Sequence, residues 1–257
     1  MKQKLLFFDI DGTILNKEKK IPKSTKDALK TLQNSGHYLA IATGRSPFMF
    51  KEIKDELKIS SFVSFNGQYV VLDDEPIYKN PHDKVKLKEL LNTSKSEGHP
   101  LIFMDHIKMK ATADNHPHIH ESLGTLHFNH PEVDEEYYIE NDVYQTLLFC
   151  ERKHEDAYLN SYPHFHFIRW HELSTDVLPR GGSKAKGIEA MMKKLGFSRE
   201  DVVAFGDGLN DIEMLQFAGT GVTMGNGVKQ AKEVASFVTK SVEDDGILYG
   251  LQQLKLL

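Results

Sequence analysis

A chain of 257 residues that is 40% hydrophobic and 27% charged is an ordinary globular polypeptide, long enough for one large domain or two small ones. Its formal net charge of -5 argues against nucleic acid as the main partner, and Cys150, the single cysteine, excludes an internal disulfide and suits a reducing cytoplasm. The apolar "LLFF" after "MKQK" stops at Asp9, too short for a secretory signal. No stretch reaches the length of a membrane span.

In chain order, "LLFFDIDGTIL" (residues 5–15) comes first and reads as a buried strand with two carboxylates, Asp9 and Asp11, close together on one face of its end. Such a pair repels unless a cation or a shared proton compensates it. A charged strand terminus meeting water and a metal-assisted active site both remain open from this segment alone. "IPKSTKDALKTLQNSG" reads as a helix with Ser24 as N-cap, Asp27 three residues on and Gly36 as its stop. "HYLAIATGR" is a second strand, "SPFMFKEIKDELK" a helix entered through Ser46 and Pro47, and "FVSFNG" a third short strand. Strand and helix alternating in this way mark an α/β fold, a parallel sheet covered by helices.

Between about Ile77 and Pro179 the apolar runs mix with Tyr, His and Pro. "PLIFMD", "VYQTLLFCE" and "HFHFIRW" look like strands, and "DKVKLKELLNTSKSEG" and "KHEDAYLNSY" like helices. This reads as a separate α+β domain, residues 81–180, inserted into a core made of residues 1–80 and 181–257. Twelve of the 13 histidines fall inside it. The alternate spacing of His116, His118 and His120 would put them on one face of a strand, which invites a metal site, although nothing completes a recognised ligand pattern. The sheet then resumes: "SKAKGIEAMMKKLG" is a helix capped by Ser183 and stopped by Gly196, "DVVAFGDG" a strand, "NDIEMLQFAG" a helix, "TGVTMGNG" a strand and "VKQAKEVA" a helix.

Four places in the core set polar residues directly after an apolar strand or at a helix start. Ligands of open α/β sheets bind there, outside the carboxyl ends of the strands. "DIDGT" offers carboxylates. "ATGR" offers the Thr43 hydroxyl and N–H groups around Gly44, or is simply a turn. "GGSKAKG" puts Lys184 at a helix N-terminus, where the dipole is already positive, so it is either exposed or beside an anion. "FGDGLND" brings Asp207, Asn210 and Asp211, which N-capping alone could explain. Together they make an acidic half suited to a hard cation such as Mg²⁺ and a cationic half suited to a phosphoryl group.

In order and spacing, "DIDGT", "ATGR", "GGSKAKG" and "GDGLND" resemble the four motifs of the haloacid dehalogenase superfamily of phosphatases. The insertion resembles the α/β cap of its Cof-type members. The resemblance implies a Rossmann-like doubly wound parallel sheet as core with an inserted α+β cap that shapes the leaving-group pocket. It implies Asp9 as nucleophile, forming an aspartyl phosphate, and Asp11 as general acid and base. It implies Mg²⁺ held by Asp9, the Asp11 carbonyl and Asp207, with Asp211 orienting Lys184 or a metal-bound water. Phosphate would meet Thr43, Gly44, Lys184, Asn210 and backbone near Ile10. Arg45, Asn66 and Gly67 face the same region without an assigned role.

The expected activity is therefore hydrolysis of small phosphorylated metabolites, such as sugar phosphates or phosphorylated cofactors, by a cytoplasmic monomer or homodimer. Neither nucleic acid nor membrane is an expected partner. Alternatives are a phosphosugar mutase or phosphotransferase on the same fold, and a non-catalytic regulator that binds a phosphometabolite. Keeping both Asp9 and Asp11 speaks against the regulator.

Overall fold

The computed structural model describes residues 2–257 and divides into two compact units. The first comprises residues 2–45, 49–79 and 183–257, the second residues 46–48 and 80–182.

The first stretch of the first unit contains β1 (Leu5–Phe8), α1 (Lys23–Asn34), β2 (Tyr38–Ala42), α2 (Lys51–Leu57), β3 (Phe62–Ser64), β4 (Tyr69–Leu72) and β5 (Glu75–Lys79). The second unit supplies α3 (Lys84–Ser96), β6 (Leu101–Met104), β7 (Met109–Ala111), α4 (Pro117–Gly124), α5 (Tyr137–Glu140), β8 (Gln145–Leu148), α6 (Arg152–Ser161), β9 (Phe165–His171) and β10 (Ser174–Pro179). The chain then returns through α7 (Lys184–Leu195), β11 (Val202–Gly206), α8 (Ile212–Phe217), β12 (Thr220–Thr223), α9 (Lys229–Val234), β13 (Phe237–Val238) and α10 (Gly246–Gln253).

The sheet of the first unit runs β13-β12-β11-β1-β2-β3-β4-β5. The six strands from β13 to β3 are parallel, and β4 and β5 add an antiparallel hairpin. That hairpin is absent from the sequence reading. Its turn, Asp73-Asp74, has φ of 49° and 63°, the pair of positive values that a two-residue turn matching strand twist requires. The chain runs outward from β1 through β2 to β3 on one side and from β11 through β12 to β13 on the other, so the strand order reverses between β1 and β11 and a crevice opens at their carboxyl ends. Leu5 and Phe7 point into one core layer with Val63, Val70, Ile188, Met191 and Met214, and every residue of β1 is buried. Burial on both faces is why "LLFF" does not alternate.

The second unit carries its own antiparallel sheet, β7-β6-β8-β10-β9. Leu101, Phe103, Leu148, Val177 and Phe165 on one face of it pack against Leu87, Leu90 and Leu91 of α3 and Tyr158 of α6.

Three local expectations fail. Ser24 is not the cap of α1: the helix starts at Lys23 behind Pro22, and the Ser24 hydroxyl donates instead to Asp245 Oδ1 at 2.5 Å. Ser46 and Pro47 do not open α2. Pro47–Met49 is a single 3₁₀ turn and α2 begins at Lys51, because Phe50 turns into the core against Phe62. His116, His118 and His120 do not line a strand, since Pro117 starts a helix and the His116 ring caps it, accepting from the His118 N–H at 3.3 Å. Proline has no N–H for a ladder and its fixed φ suits the first helical position.

Candidate active site

β1 ends at Phe8, and the Asp9 N–H still donates to the Phe205 carbonyl of β11 at 3.0 Å. The chain then folds into a tight turn, with Ile14 N–H on the Asp9 carbonyl and Leu15 N–H on that of Ile10, whose side chain is buried. Asp9 and Asp11 therefore do not share a strand face. Gly12, at φ +78°, lies so close to Asp207 that a Cβ would come 2.3 Å from its Oδ2. Only glycine fits both the angle and the space.

Asp9 instead meets residues from the far end of the chain. Lys184 Nζ lies 2.5 Å from Asp9 Oδ1 and 2.6 Å from Asp211 Oδ1, with the lysine 1% exposed. A cation at the first position of α7 is thus explained: two carboxylates outweigh the helix dipole. Asp211 Oδ2 accepts the N–H groups of Asp207 and Gly208, both at 2.8 Å, so both of its oxygens are engaged. Asp207 Oδ1 accepts the Thr13 hydroxyl at 3.0 Å. Asn226 Nδ2 donates to the Gly12 carbonyl at 2.8 Å and reaches Asp207 Oδ2 at 3.4 Å.

Asp9, Asp207 and Asp211 each present an oxygen within 4.8 Å of the others, the only such group of potential ligands among the described residues. The like charges have physical consequences. Burial, helped by Asp211 and Asp207, pushes Asp9 up to about 8 against the pull of Lys184. Burial and Asp211 raise Asp207 to about 6, with Thr13 opposing. Burial alone would depress Lys184, but Asp211 and Asp9 hold its ammonium above the usual range. The repulsion anticipated between Asp9 and Asp11 is real in kind, yet it falls on Asp9, Asp207 and Asp211. Three carboxylates around one ammonium leave excess negative charge, and hard oxygen donors so gathered fit a small divalent cation.

Asp11 is turned toward the cationic side. Arg45 Nε meets its Oδ2 at 2.8 Å and Arg45 Nη2 its Oδ1 at 2.6 Å, while Lys19 Nζ approaches Oδ1 at 2.7 Å. Burial works upward on Asp11, but these two cations prevail and lower it below the ordinary carboxylate range. Thr43 directly follows β2 and is buried, its hydroxyl accepting the Arg45 N–H at 3.1 Å. Gly44 lies against the Asn66 amide, and Asn66 Oδ1 accepts from Asn210 Nδ2 at 3.1 Å.

The structure thus brings the expected residues of the four motifs into one unit. Sequence reasoning missed Lys19, Asn226 and the Thr13 hydroxyl as partners of these carboxylates. "MGNG", a glycine-flanked Asn after a strand, was the available signal for Asn226.

Residues 6–251 match the profile of the haloacid dehalogenase-like hydrolases. The chain belongs to this family. It is 50% identical to the Bacillus subtilis (strain 168) protein "Putative phosphatase YkrA" over the whole of both chains. It is 32% identical, over 100% of its own length and 55% of the relative's, to the Streptococcus pyogenes "Putative bifunctional phosphatase/peptidyl-prolyl cis-trans isomerase". Among solved structures, a hypothetical protein of Geobacillus kaustophilus HTA426 superposes with TM-score 0.97 at 55% identity, covering 99% of this chain and 100% of that one. A sugar phosphatase of superfamily subclass IIB superposes with TM-score 0.85 at 31% identity, covering 99% and 100%. The chain is a phosphatase-type hydrolase of the superfamily, an α/β core with a separate antiparallel-sheet cap domain. Among the described residues no helix is long and apolar enough to cross a membrane.

Proposed function

We propose that the protein is a Mg²⁺-dependent phosphatase that hydrolyses small phosphorylated metabolites, sugar phosphates or phosphorylated cofactors, through an aspartyl phosphate on Asp9. The observation that supports this most is the buried Lys184 held between Asp9 and Asp211 beside Asp207. Such an arrangement costs stability in a fold that does not use it.

Asp9 and Asp207 carboxylates and the Asp11 carbonyl would hold the ion. Asp211, whose oxygens are both engaged, braces Lys184 and the Asp207 loop. When bound, Mg²⁺ supplies positive charge that offsets the carboxylates and screens the approach of one anion to another. Lys184, Thr43, Asn210 and the N–H groups around Ile10 and Gly44 take the phosphoryl oxygens. An Asp9 oxygen attacks phosphorus, the bond to the leaving oxygen breaks, and Asp11 gives that oxygen its proton. In the second half Asp11 takes a proton from water, whose oxygen attacks phosphorus and releases Asp9. Both aspartates return to their starting forms. Asp11 can carry the proton only after exchanging its contacts with Arg45 and Lys19, so the arrangement seen is the resting one.

The test is inorganic phosphate release from p-nitrophenyl phosphate and from a panel of sugar and cofactor phosphates, with Mg²⁺ or with EDTA, for the parent and Asp9→Asn. Release that needs Mg²⁺ and disappears in the variant is expected. Release unaffected by the substitution would overturn the mechanism. No release from any ester by a folded, Mg²⁺-bound protein would shift the reading to phosphoryl transfer between sugars or to ligand sensing.

A further inference from the structure

Directly after β3 the chain makes a turn in which Phe65, Asn66 and Gly67 have φ of 50°, 51° and 94°. Three consecutive left-handed residues, the first a fully buried phenylalanine, form a backbone that L side chains rarely adopt. Strain of this kind persists only where surrounding contacts enforce it. Here the contacts lead to three separate loops. The Phe65 N–H donates to the Arg45 carbonyl at 3.3 Å and the Asn66 N–H to the Thr43 carbonyl at 3.1 Å. Gly67 is flush with Ser183, whose carbonyl oxygen would lie 1.9 Å from an added Cβ, and Ser183 caps the helix that begins with Lys184. The Asn66 side chain accepts from the Asn210 amide at 3.1 Å and borders Gly44.

We propose that Asn66 is a positioning residue for the anion-binding half of the site: it holds the Thr43–Arg45 loop and the Asn210 amide in register with the start of α7. The ligand so served is a phosphate-type oxyanion, which gains from several donors fixed in advance more than from any one. The inference rests on the phosphatase reading for its ligand class but makes its own claim about how the donors are held.

The experiment measures orthophosphate binding to the Mg²⁺-loaded full chain by calorimetry, together with kcat and KM for p-nitrophenyl phosphate. The proteins are the parent, Asn66→Gly, Asn66→Asp, Asn210→Ala and the double variant Asn66→Gly/Asn210→Ala. Glycine removes the side chain yet suits the positive φ, so the fold is expected to persist, as a thermal melt will show. Asn66→Gly is expected to weaken orthophosphate about tenfold, the scale of one well-placed hydrogen bond, and to raise KM more than it lowers kcat. The double variant is expected to lose less affinity than the two single losses summed, because the part of the Asn66 role that runs through Asn210 is then counted once. Asn66→Asp keeps the turn and the acceptor but adds a negative charge, and it is expected to lose more affinity than the glycine variant. Unchanged affinity in both Asn66 variants, or losses that add in the double variant, overturn the proposal. A parent that binds orthophosphate but cleaves no ester defeats the phosphatase reading, and the binding series still decides on Asn66. A parent that neither binds nor cleaves overturns both.

Discussion

In the first unit Lys184 is enclosed with Asp9 and Asp211 within 2.6 Å, whereas in the second His82 is enclosed edge-on to Phe165, with the Val177 carbonyl 3.1 Å from its Nε2. Both side chains are buried and ionisable. Lys184 is kept charged by opposite charges that are themselves buried. His82 is kept neutral, because burial, with His164 adding to it, pushes its pKa down to about 3 against the upward pull of the Val177 hydrogen bond. A buried charge among charges must be maintained against desolvation and points to chemistry. A buried titratable ring among aromatic side chains packs like any apolar group and matters only when pH falls.

The contrast is broken most sharply at Asp9. Asp9→Asn removes the nucleophile and is expected to lower kcat by roughly 10⁴-fold or more. The same variant should fold at least as stably as the parent without added metal, because one of three crowded carboxylates has gone. A phosphate-release assay paired with a thermal melt checks both halves. Lys184→Met tests the opposite partner. It leaves Asp9, Asp207 and Asp211 without the shared ammonium, and a cost of about 3–5 kcal/mol is expected in denaturant unfolding. Mg²⁺ should recover part of that loss in the variant, since a second cation can occupy the same negative field.

Much of this contrast was legible in the sequence, and the unread part has a common cause. The parallel order of β1, β2 and β3, the Ser183 and Gly196 limits of α7, and the grouping of Asp9, Lys184, Asp207 and Asp211 follow from local pattern and motif order. What escaped depends on contacts far apart in the chain or on one overlooked residue. Asn226 reaches Gly12 across 214 positions, a pairing that no window reveals. The expected face shared by Asp9 and Asp11 required the strand to continue, but the tight turn ends it at Phe8. The histidine strand fails on Pro117, whose presence in the pattern already argued for a helix start. The β4–β5 hairpin was missed because Asp-Asp is a less obvious turn pair than Asn-Gly, although both of its residues take positive φ.

His82 gives the next effect in size. Its folded pKa lies below the unfolded value, so its contribution is full above the ordinary histidine range and is lost as pH falls. Between 6.5 and about 3 the unfolded chain takes up a proton that the folded one refuses. Each pH unit in that window is expected to remove about 1.4 kcal/mol of stability on this account. His82→Gln keeps a donor for the Val177 carbonyl and does not titrate, so its stability curve should be flatter over the same window. A variant curve parallel to the parent's would place the acid sensitivity elsewhere.

The smallest effect compares one device in both units. Ser183 caps α7, its hydroxyl accepting the Lys186 N–H at 3.4 Å, and Asp83 caps α3, its carboxylate accepting the Lys86 N–H at 2.9 Å. Replacing either by alanine frees an N-terminal donor and is expected to cost about 1 kcal/mol of unfolding free energy. The activities should separate. α3 carries no residue of the site, so Asp83→Ala is expected to leave kcat and KM unchanged. α7 begins with Lys184, next to the Ser183 cap, so Ser183→Ala should raise KM for a phosphate ester a few-fold at the same stability cost. Equal effects of the two substitutions on activity would mean that the start of α7 is held by Lys184 and its carboxylates alone, with the cap contributing only to the helix.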